Sequence, residues 1–369
     1  MIDLLVIGGG ITGSYIAYLA ALQGYAATLI TGNDQSTASC NNPGGINPLH
    51  GPGIPGIMEE FSMQSYHLHL ANWQKINKFS GIDFNGRMIE RLFIAFNNSQ
   101  QEELEEFRKL YCKHEGFSAK WLEPAEIAEK NPRLSKNILG GLYTRGNVTV
   151  DPGKYTFATL SAAAKMGTVI VRDDVARLDR IRGGYEALCV SGQTFKTQKL
   201  VLAAGARTEE LLKHLDIEIP LKPVKGELLL IETGNEHFAF DVTCGKDGLY
   251  HYNANLYWLG GTREDVGFDN RISEKSAGVI LDTVSELLPE ISNYVVKRHV
   301  AAFRPTTPDG LPIVGCFQSE PHLFVATGAG SKGMLWSSRM AEVIVEQLCG
   351  NVDEILEILA PERFFANWP

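Results

Sequence analysis

Three glycines set between a strand and a helix constrain this chain more than any other feature. Residues 2–7 (IDLLVI) read as a strand, residues 14–23 (SYIAYLAALQ) as a helix and residues 27–31 (ATLIT) as a second strand, with GGGITG joining the first two. Gly8, Gly10 and Gly13 fill the glycine positions of GxGxxG, with Ile11 and Thr12 between the last two. Each glycine has a mechanical reason. The first permits a tight turn, the second lets a pyrophosphate approach the backbone, and the third lets helix and strand pack closely. The helix N-terminus then supplies N–H donors and partial positive charge to the anion. A ligand-free glycine turn shows the same bare pattern, but the flanking strand, helix and second strand point to a dinucleotide. Gly24 serves as the helix stop.

The acid that commonly ends the second strand and binds a ribose hydroxyl is missing, because the strand ends at Thr31 with Gly32, Asn33 and Asp34 beyond. Either Thr31 bonds the ribose alone, or Asn33 or Asp34 substitutes through a shifted loop. No charged residue lies between Asp3 and Asp34. No Lys or Arg precedes this run, and Gly8, Gly9, Gly10, Thr12, Gly13, Ser14 and Gln23 interrupt it, so it is a poor signal peptide or membrane span.

At 369 residues the chain exceeds the size at which single cores stop growing, which predicts two domains. A net charge of -9 offers no basic field for nucleic acid. The cysteines at 40, 112, 189, 244, 316 and 349 form no CxxC pair and read as reduced thiols, which favours the cytoplasm. Absence of HExxH, HxxxH and GxSxG leaves metal and serine-hydrolase chemistry without support.

Beyond the first unit, CNNPGGINPLHGPGIPG predicts an ordered loop and residues 58–79 a helix. RLFIAF reads as a strand, and EELEEFRKLYCKH, EPAEIAEKN and DPGKYTFATLSAAAKMG as helices. TVIVRD, ALCVS and KLVLAAG read as strands, and ELLLIE, GLYHYN and LYWLGG as members of an antiparallel sheet. A second glycine pattern, Gly328, Gly330 and Gly333, follows HLFVAT and precedes the terminal helix MLWSSRMAEVIVEQL. Too little chain follows for another βαβ unit. This helix N-terminus is expected to face another part of the first cofactor, with Lys332 adding charge; the alternative is a plain strand-to-helix turn with a solvated lysine.

VIGGGITG, ASCNNPGGI, VDPGKYT, LVLAAGA, VKGE, LGGT and FRPTTPDGLPIVG followed by HLFVATGAGSKGM together resemble the glycine oxidase and D-amino-acid oxidase/dehydrogenase superfamily, with sarcosine oxidase-like enzymes near by. The resemblance implies an α/β fold: a Rossmann-like FAD-binding domain (1–85, 146–220 and 300–369) interleaved with a smaller α+β substrate domain built on an antiparallel sheet (86–145 and 221–299). It implies that Ser39, Asn42, Gly44 and Gly45 line the flavin and that Val175 touches the adenine. Ala204 and Gly205 of LVLAAGA join the cofactor set, and Gly330, Ser331, Lys332, Gly333 and Met334 border the pyrimidine edge. Arg304 would pair with a substrate carboxylate, helped by Tyr250 or by Tyr252 on the same strand face; ordinary sheet packing is the other reading of either tyrosine. Two departures bear on chemistry. Ala302 stands where sarcosine oxidases bond a cysteine to flavin, which implies non-covalent FAD, and Trp258 replaces their oxygen-activating lysine, which leaves oxidase against dehydrogenase open.

The expected reaction is oxidation of the C–N bond of a small amino or N-alkyl amino acid, giving an imine that hydrolyses, with oxygen or a respiratory carrier as electron acceptor. A 2-hydroxy-acid enzyme would want a base such as His251. An FAD module without amine oxidase activity is the third alternative.

Overall fold

The computed structural model describes residues 1–32, 37–234, 240–245, 247–289 and 294–365. Its first sheet has a parallel core in which Glu320–Thr327, Thr194–Leu202, Ile2–Ile7, Ala27–Thr31 and Val169–Arg172 are successive neighbours. Such strands are covered on both faces, which is why LLVI and LVL are near-continuous apolar runs. Leu4, Val6, Leu29 and Val201 pack against the helices Ile11–Leu22, Pro152–Lys165 and Gly333–Leu348. Leu5, Ile7, Leu200 and Leu202 pack on the other side with Leu211, Leu212 and Leu215. The edge of Thr194–Leu202 away from Ile2–Ile7 serves two partners. Its last residues pair in parallel with Glu320–Thr327, while its first pair antiparallel with Gly184–Cys189, which continues to Val175–Ile181.

The second sheet has eight strands in the order Tyr294–Thr306, Lys222–Thr233, Leu256–Leu259, Asp247–Asn253, Phe240–Cys244, Glu90–Ala95, Gly140–Arg145 and Ser118–Leu122. Tyr294–Thr306 pairs with Lys222–Thr233 along its length and crosses residue 300, where the sequence reading sets a domain boundary. All pairs are antiparallel except Phe240–Cys244 with Glu90–Ala95, a parallel seam that joins two distant stretches of chain. One face is closed by the helix Glu274–Leu287, whose Ile280, Val284 and Leu287 pack on Leu229, Ile231, Leu249, Tyr257 and Leu259. The sequence reading missed this helix, although Ser273 caps it by accepting the Ser276 N–H at 3.0 Å and its apolar positions follow helical spacing. Strands Ser118–Leu122 and Gly140–Arg145 were also not foreseen. Among the described residues no helix is long and apolar enough to cross a membrane.

Candidate functional site

The glycine turn after Ile2–Ile7 is closed by backbone. A Cβ at Gly8 (φ +113°) would stand 2.3 Å from the Ala203 carbonyl oxygen, and one at Gly13 would stand 1.9 Å from the Gly8 carbonyl oxygen. Turn, helix and the LVLAAGA segment are thus locked together, and Ala204 lies against Gly8. Gly10 differs: among the described residues only Ser39 lies within 4 Å of a Cβ there. Ile11 donates its N–H to Ser39 Oγ at 3.0 Å, while the N–H groups of Thr12 and Gly13 have no partner among the described residues. Gly10, at the N-cap, has no side chain to cap the helix, and no acid stands in its first turn. Free donors, uncompensated dipole and an open Gly10 fit a pyrophosphate, so the residues present suit a dinucleotide.

The breaker-rich loop crosses this helix end. Asn42 ties it by donating to the Ala38 and Ser39 carbonyls (2.8 and 3.2 Å) and accepting from Gly44 N–H (2.7 Å). Gly44 (φ +80°) is pressed against the Val150 carbonyl, and Gly45 begins a short strand paired with Val148–Thr149. Thr31 packs its side chain over Gly9, and Val175 starts its strand opposite Cys189. Asn33 and Asp34 lie outside the described residues. A different acid reaches the end of the second strand: a Cβ on Gly32 would be 2.2 Å from Asp174 Oδ1, and Asp173 N–H donates to Thr31 O at 3.0 Å. Sequence reading had no route to Asp174, because it follows the distant strand Val169–Arg172, which only folding sets beside Ala27–Thr31.

Gly205 (φ +57°) and Gly330 (φ +52°) have no atom within 4 Å of an added Cβ, and Thr327 Oγ1 donates to Gly205 O at 2.8 Å. Ser331 is exposed and Met334 buried, and the helix Gly333–Leu348 again lacks a first-turn acid. Lys332 is only partly exposed. Its stem lies along Gly51 and its Nζ donates to Asn47 O at 3.4 Å. Burial, helped by the nearby Arg91, pulls its ammonium down to about 7.

The eight-stranded sheet supplies the other wall. Residues directly opposite across a ladder share a face, so Arg298, Leu230, Trp258 and Tyr250 line up across four strands. Val300, Ala302 and Arg304 extend this row along one strand, and Asp241 and Arg91 continue it over the parallel seam. The opposite face is the apolar one beneath the helix Glu274–Leu287. Polar groups therefore gather on the face turned toward the cofactor loops, as three contacts show. Arg298 donates to Asn41 Oδ1 at 3.2 Å, Tyr252 OH to Asp151 Oδ2 at 2.6 Å, and Thr306 bridges to Ala329.

Arg304 is partly buried and makes one side-chain hydrogen bond, from Nη1 to Thr262 O at 3.0 Å. No carboxylate pairs with it among the described residues; burial and the neighbouring Arg263 lower its pKa. Arg91, 5% exposed, is instead paired through its two terminal nitrogens, its Nε finding no partner among the described residues. It pairs with Asp241 at 2.8 Å, and Asn47's amide oxygen accepts from Nη1 and Nη2 (3.2 and 2.8 Å) in the orientation that its partners dictate. Its Cζ sits 5.5 Å from the Tyr250 ring centroid. Burial raises the Tyr250 phenol, which keeps it a donor. Tyr252 is raised by burial and by its bond to Asp151. Trp258 is 2% exposed, its ring 5.6 Å from Arg298 Cζ, and its Nε1 has no hydrogen-bond partner among the described residues. Ala302 presents only a methyl group. His251 faces the other way, paired with Tyr257 of the apolar face, their rings 5.4 Å apart.

Residues 3–347 match the family described as DAO: FAD dependent oxidoreductase. The chain is 26% identical over 368 residues to a glycine oxidase from Bacillus licheniformis, an alignment covering 98% of this chain and 97% of that protein. It is 23% identical over 410 residues to a D-amino acid dehydrogenase from Vibrio atlanticus, covering 96% and 97%. The crystal structure of glycine oxidase from Geobacillus kaustophilus superimposes with a TM-score of 0.91 over 99% of both chains at 22% identity, which shows a shared fold.

Proposed function

The chain belongs to the FAD-dependent oxidoreductase family, of the glycine oxidase and D-amino acid dehydrogenase type, and on that premise we propose that it oxidises the C–N bond of a small amino or N-alkyl amino acid. The observation that carries this reading is Arg304, a partly buried guanidinium on the polar sheet face with no acid paired to it among the described residues. A planar fork left in that state suits a carboxylate. FAD, held non-covalently, supplies the hydride acceptor at flavin N5. Gly10, Ile11, Thr12 and Gly13 would hold the pyrophosphate, with Gly8 shaping the turn. Thr31 and Asp174 address the ribose, and Val175 with Ala204 and Gly205 the adenine side. Ser39, Asn42, Gly44 and Gly45 line the ring system, and the turn from Gly330 through Ser331, Lys332 and Gly333 to Met334 closes its far edge.

In this arrangement Arg304 clamps the substrate carboxylate and Tyr250 donates to it. Leu228, Leu230 and Trp258 exclude water around the reacting Cα–H. The amine loses its proton to solvent before reacting, and the imine product then takes up water. The 2-hydroxy-acid reading is weakened by His251, which faces away from Arg304. The sheet segments divide the work, with the parallel-core domain binding cofactor and the eight-stranded domain binding substrate. A cytoplasmic setting agrees with six free cysteines, and oxygen or a respiratory carrier takes the electrons.

Turnover measured with oxygen and with a reducible dye, across glycine, D-alanine, N-methyl amino acids, 2-hydroxy acids and plain amines, tests the proposal. Amino acids should react and plain amines react poorly; preference for hydroxy acids, or no turnover of any amino acid, would overturn it.

A further inference from the structure

We propose that Lys225, Gly226, Glu227 and Thr262 form a seat that fixes Arg304, so that Gly226 and Thr262 are positioning residues for the substrate carboxylate. The inference rests on the reading of Arg304 given above. Arg304 lies on the strand beside Lys222–Thr233, opposite Val224, and its head reaches diagonally over Gly226. A Cβ on Gly226 would stand 2.2 Å from Nη1 and 2.4 Å from both Cζ and Nη2. Near-equal distances to these atoms mean that the guanidinium lies flat on the glycine, and any side chain there would lift it.

Alternation along the strand sends the flanking residues to the other face. There Lys225 Nζ bridges Glu227 Oε1 at 2.9 Å and Glu264 Oε2 at 3.3 Å, and also donates to Arg271 O at 3.1 Å. Glu227 is fully buried; its Oε2 accepts Ser273 N–H at 3.1 Å and lies 2.7 Å from His299 Nε2. Burial alone would lower the Lys225 ammonium, but its bonds to Glu227 and Glu264 outweigh that and hold it above the ordinary lysine value.

This network holds Thr262, whose carbonyl is the hydrogen-bond partner of the Arg304 side chain among the described residues. Thr262 Oγ1 accepts Glu227 N–H at 3.0 Å and donates to Glu264 Oε1 at 2.9 Å, Thr262 N–H donates to Glu227 O at 3.2 Å, and Lys225 and Glu264 exchange backbone bonds of 2.9 Å. Thr262 is thereby fixed at both ends, and its carbonyl meets Arg304 Nη1 at 3.0 Å. The charges are arranged to the same end. Both carboxylates are engaged on the far face by Lys225 and by hydroxyl or amide donors, so among the described residues none turns toward Arg304. The guanidinium is held in place by neutral groups alone and keeps its charge for an incoming anion.

The test titrates acetate, a bare carboxylate, into the FAD-loaded protein and follows the shift of flavin absorbance, alongside KM and kcat for glycine. Losing a positioned hydrogen bond to a charged group corresponds to roughly ten- to a hundredfold in affinity. Gly226→Ala and Thr262→Val should each weaken acetate binding and raise KM by that order, with kcat and FAD content changing by less than about threefold. Thr262→Ser, which keeps the hydroxyl, should restore wild-type behaviour. If Arg304→Ala abolishes the acetate response but Gly226→Ala and Thr262→Val leave it intact, the seat is wrong while the assignment of Arg304 stands. If Arg304→Ala itself responds like the wild type, the carboxylate reading and the seat fall together.

Discussion

Gly8, Gly10 and Gly13 and Gly328, Gly330 and Gly333 share one spacing, each set between a strand of the parallel sheet and a helix buried against it, yet the two turns are held differently. In the first, Gly8 and Gly13 are forced by main-chain contacts at 2.3 and 1.9 Å. In the second, Gly328 meets the side chain of Thr307 at 2.8 Å, Gly330 needs only its positive φ, and Gly333 has nothing nearer than Ala329 Cβ at 4.0 Å. The first turn is a locked joint that leaves helix donors bare. The second is looser, and its distinctive part is a lysine drawn into the protein. One pattern therefore serves two physical tasks, and the spacing alone does not tell them apart.

The largest contrast should come from the third glycine of each turn. Gly13→Ala drives a methyl into a carbonyl that cannot retreat, so it should destabilise the FAD-stripped protein by about 3 kcal/mol or more and abolish FAD retention. Thermal midpoint and flavin absorbance report both; a variant that keeps FAD and melts normally would break the comparison. Next is Gly10→Ala. With only Ser39 near, it should leave the FAD-stripped protein almost as stable as the parent, yet weaken FAD binding by about 1–3 kcal/mol through crowding of the pyrophosphate. Equilibrium titration with FAD would show whether these two effects separate.

Lys332 gives a smaller effect that depends on pH. Its ammonium sits near 7 in the folded chain, below the ~10.4 of an unfolded lysine. The folded state therefore resists protonation there. The resulting penalty is absent above the unfolded value, grows as pH falls and is complete below about 7. Lys332→Met removes it, so the FAD-stripped variant should gain stability over the parent more at pH 6 than at pH 9. Denaturant melts at the two pH values measure this, and a gain independent of pH would contradict it. Gly333→Ala should do least. Gly333 already has helical φ (-55°), and alanine favours a helix, so stability should stay within about 0.5 kcal/mol of the parent.

Much of the first sheet was legible because its strands announce themselves locally: Ile2–Ile7 and Ala27–Thr31 are short apolar runs bounded by breakers. The glycine turn between Ile2–Ile7 and the first helix was legible for the same reason. What escaped was whatever depends on pairing between distant stretches. Arg91 looks like a stray charge in RLFIAF until the parallel seam brings Asp241 beside it, 150 residues away. Asp174 becomes a stand-in for the missing strand-end acid only once Val169–Arg172 lies next to Ala27–Thr31. The solvated-lysine reading of Lys332 failed because Asn47 and Gly51, which surround it, belong to a loop far upstream. The helix Glu274–Leu287, by contrast, carries a local signal in Ile280, Val284 and Leu287, although it stands in a region otherwise made of short strand-like runs.

The central claim is that Arg304 receives the carboxylate of an amino acid undergoing oxidation. Anaerobic mixing of the FAD-loaded protein with glycine or D-alanine, followed by loss of flavin absorbance, tests it without assuming an electron acceptor. The wild type should bleach with at least one amino acid. Arg304→Ala should retain its FAD but lose roughly 2–5 kcal/mol in the second-order rate of bleaching, while plain amines stay equally slow with both. Bleaching by an amino acid at the same second-order rate with and without Arg304 would contradict the account.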